Sequence, residues 1–186
     1  MMPVVRVNDP AFADLAILTK WWGTKTPSET IARLAREAMD DLGIGRDDDE
    51  EAVVVAADGA MQFDKTPSMA FTKPLAASIS GKAVPNPRWA NILLGVIKAV
   101  HAQGVTGATL VRALNIHSKA TRYEEDGFKY HEELGISFQG QSASDAWKEI
   151  ERLANAYRIP VSVEFWWRQN PKAQFPGKTG KLYAGQ

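Results

Sequence analysis

The tetrapeptide Thr26-Pro27-Ser28-Glu29 constrains this chain more than any other stretch. Thr26 carries a hydroxyl that can accept from the first helical turn. Pro27 has the fixed φ that suits the first helical position, and Glu29 stands where a capping box needs a carboxylate. The helix they open presents Ile31, Leu34, Ala35, Ala38 and Leu42 on one face and closes at Gly43. Upstream, Pro10 opens another helical pattern with Phe12, Leu15, Leu18 and Trp22, stopped by Gly23. Val4 to Val7 is a short β-prone run, so the first 44 residues read strand, helix, tight turn, helix. Such a unit is too small to bury its own apolar surface, and a lone strand leaves two edges unsatisfied. The economical solution is a two-fold homodimer, with the strands paired antiparallel and four helices packed beneath them. Trp21 and Trp22 cannot share one buried helix face. One of them is expected to pack on the second domain or the other protomer.

The stretch Val4-Val5-Arg6-Val7-Asn8-Asp9-Pro10, the turn Gly23-Thr24-Lys25-Thr26-Pro27-Ser28-Glu29 and the Ile31/Leu34/Leu42 helix resemble the ribbon-helix-helix (MetJ/Arc) superfamily. The resemblance covers about the first quarter of the chain and rests on element order and pattern. It implies that the paired ribbon lies in the major groove of double-stranded DNA and that alternate strand residues read base edges. Val5 and Val7 then face inward, and Val4, Arg6 and Asn8 point to the bases. Arg suits guanine O6 and N7, and Asn suits adenine N6 and N7. It further implies a phosphate on the N-terminus of the second helix, at Lys25, Thr26, Ser28 and Glu29. Glu29 departs from that pattern, because its carboxylate competes with phosphate for the same donors. Charge stands against the reading: up to residue 44, Arg6, Lys20, Lys25, Arg33 and Arg36 face Asp9, Asp14, Glu29, Glu37, Asp40 and Asp41. Dimerisation alone and a plain helical subdomain therefore stay open beside DNA binding.

Asp47-Asp48-Asp49-Glu50-Glu51 marks a boundary. The expected organisation is a ribbon-helix-helix module at 1–45, an acidic linker at 46–52, an α+β domain at 53–169 and a basic, Gly/Pro-rich tail at 170–186. In the α+β domain, Val53 to Ala57 reads as a strand leading through an Asp58-Gly59 turn to Met61. A second hairpin is expected from Leu75 to Val84 around Ser80-Gly81. Asn86-Pro87 precedes a helix bearing Trp89, Leu93, Leu94, Ile97 and Val100, which stops at Gly104. Thr109 to Ile116 reads as β-prone, Ser118 to Asp126 as a loop and Ile136 to Phe138 as a strand. Ser142 with Asp145 caps a helix bearing Ala146, Trp147, Ile150, Leu153 and Tyr157. After Pro160 comes an alternating strand, Val161, Val163, Phe165 and Trp167, whose other face carries Ser162, Glu164, Trp166 and Arg168. The tail is expected to be an extended arm or disordered.

No cysteine is present, which excludes disulfides, thiolate metal sites and a cysteine nucleophile and suits a reducing, cytoplasmic setting. The chain lacks an apolar run of membrane-spanning length and a basic, apolar leader at its start. His101, His117 and His131 show no metal-ligand spacing. No serine sits in a nucleophile elbow, and Gly177-Lys178-Thr179 lacks the rest of a phosphate loop. Glu124, Glu125 and Asp126 read as an acidic loop. The expectation is therefore a chain that is not an enzyme, with no cofactor and no metal. Trp166, Arg168, Lys172, Lys178 and Lys181 interleave aromatic and cationic groups as a second nucleic-acid or partner surface. Together these readings predict a dimeric, site-specific DNA-binding regulator, a repressor or accessory factor, with residues 53–169 available to a protein partner. The alternative is a protein-interaction or dimerisation subunit of a larger complex, or a nuclease-associated one.

Overall fold

A computed structural model describes residues 6–41, 59–63 and 65–186. The fold is α+β and divides into two compact units, Met1–Leu42 and Gly43–Gln186. The first unit holds α1 (Asp9–Trp22) and α2 (Pro27–Asp41), close to the expected helices. Asn8 caps α1 through its side chain, which accepts from Ala11 N at 3.0 Å, and Gly23 ends the helix in the left-handed region at φ 66°. Val4 and Val5 lie outside the described residues. Arg6, Val7 and Asn8 belong to no strand, and Val7 is exposed rather than turned inward.

The second unit begins, among its described elements, with β1 (Met61–Gln62), β2 (Thr72–Ile79) and β3 (Lys82–Ala83). There follow α3 (Trp89–Ala102), α4 (Gly107–Ala113), β4 (Ser118–Lys119), β5 (Phe128–His131) and β6 (Ile136–Gln139). It closes with α5 (Ala143–Tyr157), β7 (Val161–Trp167) and β8 (Thr179–Ala184). The main sheet runs β1-β8-β7-β2-β3, antiparallel except for the β1–β8 pair, and a smaller sheet runs β4-β6-β5. Ser80 and Gly81, at φ 49° and 76°, make the expected two-residue turn between β2 and β3. The strand proposed for Val53 to Ala57 lies outside the described residues.

Register places Val161, Val163, Phe165 and Trp167 on one face of β7, with Leu182 and Ala184 of β8 and Ala77 of β2 beside them. That face is buried under α3 and α5, whose Ile92, Leu93, Val96, Ile97, Trp147, Ile150 and Leu153 complete the core. At about 25 cal/mol per Å² of apolar area, this face is the main source of the unit's stability. The indoles are satisfied as well as buried: Trp89 Nε1 donates to Thr72 Oγ1 at 3.1 Å and Trp167 Nε1 to Ser68 O at 2.9 Å. Gly180 is required by the aromatic packing, since a Cβ there would stand 2.6 Å from Phe165 Cζ and 3.0 Å from Phe63 and Trp167 atoms. Pro74 sits in β2 beside a bulge, where β3 no longer pairs with β2, so its missing N–H costs no ladder bond.

Three expectations fail here, the least of them the loop read for Ser118 to Asp126, whose first two residues form β4 because they pair with β6. Thr109 to Ile116 is not a strand: Gly107–Ala113 is helical, because Leu110 and Leu114, spaced i to i+4, are both drawn into the core. An apolar run of this length fits either period, and tertiary burial decides. The tail is neither an arm nor disordered. β8 pairs along the whole of β7 except Trp167, and the connection folds back through Gly177 N to Trp167 O and Trp167 N to Lys178 O, both 2.9 Å. Among the described residues, no helix is long and apolar enough to cross a membrane.

Candidate interaction surface of the helical hairpin

The contact between α1 and α2 is made by hydroxyls as much as by hydrocarbon. Thr30 is fully buried, and its Oγ1 lies 2.7 Å from Thr19 Oγ1 and 2.5 Å from Thr24 Oγ1, while Thr19 also donates to Leu15 O at 2.7 Å. Leu15 is the one buried side chain of α1. Trp22 is half-buried under the Arg33 guanidinium, 4.5 Å from the ring centroid, and Arg33 pairs with Glu37 at 3.0 Å. This network sets the geometry of the hairpin with little apolar burial.

The apolar groups point elsewhere. Among the described residues the exposed large apolar side chains are Val7, Phe12, Ile17, Trp21, Ile31 and Tyr183, and all but Tyr183 belong to the hairpin unit. Trp21 is 83% and Ile17 66% exposed. Ala13, Ile17 and Trp21 recur at i, i+4 and i+8, a stripe on the side of α1 away from Leu15, Leu18 and Trp22. On α2, Ile31, Ala35 and Ala38 are exposed in the same way. The Trp21-Trp22 pair was legible as a conflict; the Ala13/Ile17/Trp21 spacing was the signal that resolves which of the two faces outward.

The proposed DNA-contacting residues fare unequally. Val4 lies outside the described residues. Arg6 is exposed, but Asn8 is occupied as the cap of α1, so its amide oxygen is not free for an adenine edge. At the start of α2, Glu29 N donates to Thr26 Oγ1 at 3.2 Å and Lys25 N donates to the Glu29 carboxylate at 2.8 Å. Pro27 has no N–H, so the first turn keeps Ser28 N as its remaining outward donor. The proposed phosphate site of Lys25, Thr26, Ser28 and Glu29 is thus a self-satisfied cap with a carboxylate in the place of the anion.

The second surface is not assembled as expected. Trp166 is buried, with no acceptor for its Nε1 among the described residues, and Arg168 is also buried, its backbone N–H held by Phe71 O at 2.8 Å. Lys172 and Lys178 are exposed on the β7–β8 connection, while Lys181 is half-buried, faces Glu164 in register and lies 5.5 Å from the Tyr183 ring. Buried aromatics cannot stack on bases, so the interleaving in sequence is not an interleaving in space. The acidic loop is internally bound: Arg122 pairs with Glu124 at 3.1 Å, and Tyr123 Oη donates to Asp126 at 2.6 Å, which raises the phenol above its ordinary range. His131 stacks on Phe138 with centroids 4.3 Å apart, and burial lowers its pKa.

No family model, curated protein or solved structure matches this chain.

Proposed function

We propose that this chain is a regulatory protein that works as a homodimer, joined through the helical hairpin of residues 6–41. One observation carries the reading: large apolar side chains on both helices, Trp21 and Ile17 foremost, are left uncovered by the packing of the hairpin itself. Soluble chains rarely leave contiguous apolar surface uncovered, and a two-helix hairpin with one buried leucine is below the size that folds alone. Self-association through a two-fold axis covers both stripes at once. Sedimentation velocity across micromolar concentrations tests it. The wild-type chain is expected to sediment as a dimer, and a Ile17→Ser, Trp21→Ser double variant as a folded monomer. A wild-type monomer at every concentration overturns the proposal.

Recognition of double-stranded DNA by that dimer is the second reading. It draws on the exposed Arg6 and on the extended backbone at Asn8, φ −77° and ψ 164°, directly ahead of α1, where a ribbon would lead into the helix. Fluorescence anisotropy against genomic fragments at two salt concentrations tests it. Binding that resists competitor DNA and is lost in Arg6→Ala supports a ribbon, and affinity untouched by that change rejects it.

A further inference from the structure

A trench of about 600 Å³ runs between α3 and the β2–β3 hairpin. Its floor is small and apolar, with Gly95, Ala99 and Ala102 along the helix and Ile79 and Val84 opposite. The lining of α3 extends from Asn91 to Gln103, roughly 18 Å at 1.5 Å per residue. Gly95 is part of the construction, since a Cβ there would meet Ile79 Cδ1 at 2.6 Å. All the ionisable side chains of the lining are cations: Lys82, Lys98 and Arg158. Lys98 is paired with Glu133 at 2.8 Å, whereas no ion pair engages Lys82 or Arg158 among the described residues.

One wall is an open sheet edge. β3 is the last strand of its sheet. Val84 N donates to Ala77 O at 2.9 Å, so by strand alternation the N–H and C=O of Ala83 point away from β2, at the open edge of the sheet, and Ala83 is among the residues that line the trench. Backbone strain also gathers here. Ser80 and Arg158, at φ 49° and 52°, hold the left-handed conformation that glycine adopts more easily. Arg158 thereby delivers a guanidinium to the trench from the end of α5.

We propose that this trench receives an extended acidic peptide, which adds to the edge of β3. The peptide's backbone meets Ala83, alternate apolar side chains settle on Ala99 and Ala102, and carboxylates reach Lys82 and Arg158. Charge selects this occupant. A second copy of the same edge would set Lys82 against Lys82, which is how edges are kept from pairing with themselves. An alkyl carboxylate would fill the floor but leave the Ala83 groups without a partner.

The test uses the full chain and a fluorescein-labelled hexapeptide of alternating Asp and Val, with a Lys/Val hexapeptide and dodecanoate as comparisons. Saturable anisotropy for the acidic peptide is expected, weakened by salt, with amide shifts at Ala83, Gly95 and Ala99. Lys82→Glu and Arg158→Gly are each expected to weaken it about tenfold. Arg158→Gly is also expected to raise the melting temperature, because it removes a strained backbone while removing the cation. A merely structural arginine would show the reverse, lost stability with unchanged affinity. The proposal is overturned by absence of saturable binding, by equal binding of the lysine peptide, by dodecanoate alone shifting those amides, or by self-association that Lys82→Glu abolishes.

Discussion

The two units use the same residue types to opposite ends. In residues 59–186 the side chains of Trp147, Trp166, Trp167, Phe165 and Met69 are at most 1% exposed, and α5 buries its apolar stripe against α3 and the sheet. In residues 6–41, Phe12, Ile17, Trp21 and Ile31 stand in solvent while a threonine, Thr30, occupies the buried centre. The first arrangement is a finished core. The second leaves its apolar groups uncovered by its own packing, and its hydroxyl network specifies a geometry without supplying much hydrophobic free energy. Apolar content alone therefore says little about stability; what matters is whether the fold brings a second face to meet the first.

The comparison can be broken most forcefully at Trp147. Trp147→Ala is expected to lower unfolding free energy by about 3–5 kcal/mol, read by urea denaturation, because it opens a cavity in a core with no slack. A smaller loss would mean that the second unit is as loosely packed as the first. Next comes Glu149, buried on α5 and bonded to the segment that follows α4. Its carboxylate accepts from Asn115 N at 2.8 Å and from Arg152 at 2.7 Å, and Arg152 in turn donates to Ala113 O. Glu149→Ala is expected to cost about 2 kcal/mol, less than a fully buried pair because Arg152 keeps solvent contact.

In the hairpin the expected changes are smaller. Asn8→Ala removes the α1 cap and is expected to cost about 1 kcal/mol, seen as lost helical circular dichroism signal at lower denaturant. His131 supplies a pH test of the finished core. Burial depresses its pKa below the ordinary 6.5, with Lys129 and Lys98 adding to that and Glu133 opposing it. The unfolded chain therefore binds the proton more readily. The contribution is complete above 6.5 and is lost as the pH falls below that value and through the folded pKa. Melting temperatures between about pH 7.5 and 5 should fall more for wild type than for His131→Phe. The smallest change in unfolding is expected for Trp21→Ala, within about 0.5 kcal/mol for the monomer, with loss of the proposed dimer as its real signature.

Much of this was legible in local pattern. Thr26-Pro27-Ser28-Glu29, Gly23 and the Ser142/Asp145 pair act within a single turn, so their residues suffice to place the ends of α1, α2 and α5. Ser80-Gly81 placed the hairpin for the same reason. The candidate site was legible only in part. Helical spacing exposes the Ala13/Ile17/Trp21 stripe once it is counted, but Asn8 and Glu29 serve equally as helix caps and as ligand contacts until their partners are seen. The trench was not legible at all, because Gly95, Lys82 and Arg158 come from three separate elements.

What the chain determines by itself is whatever depends on neighbours within about four residues: caps, turns and the period of an apolar stripe. Tertiary structure alone decided that Gly107–Ala113 coils where β-branched residues favour a strand, that 179–184 joins the sheet, and that Trp166 and Arg168 are buried. Each of those outcomes turns on a surface contributed from far along the chain, and no local propensity, worth tenths of a kcal/mol per residue, outweighs the burial of a leucine or a tryptophan.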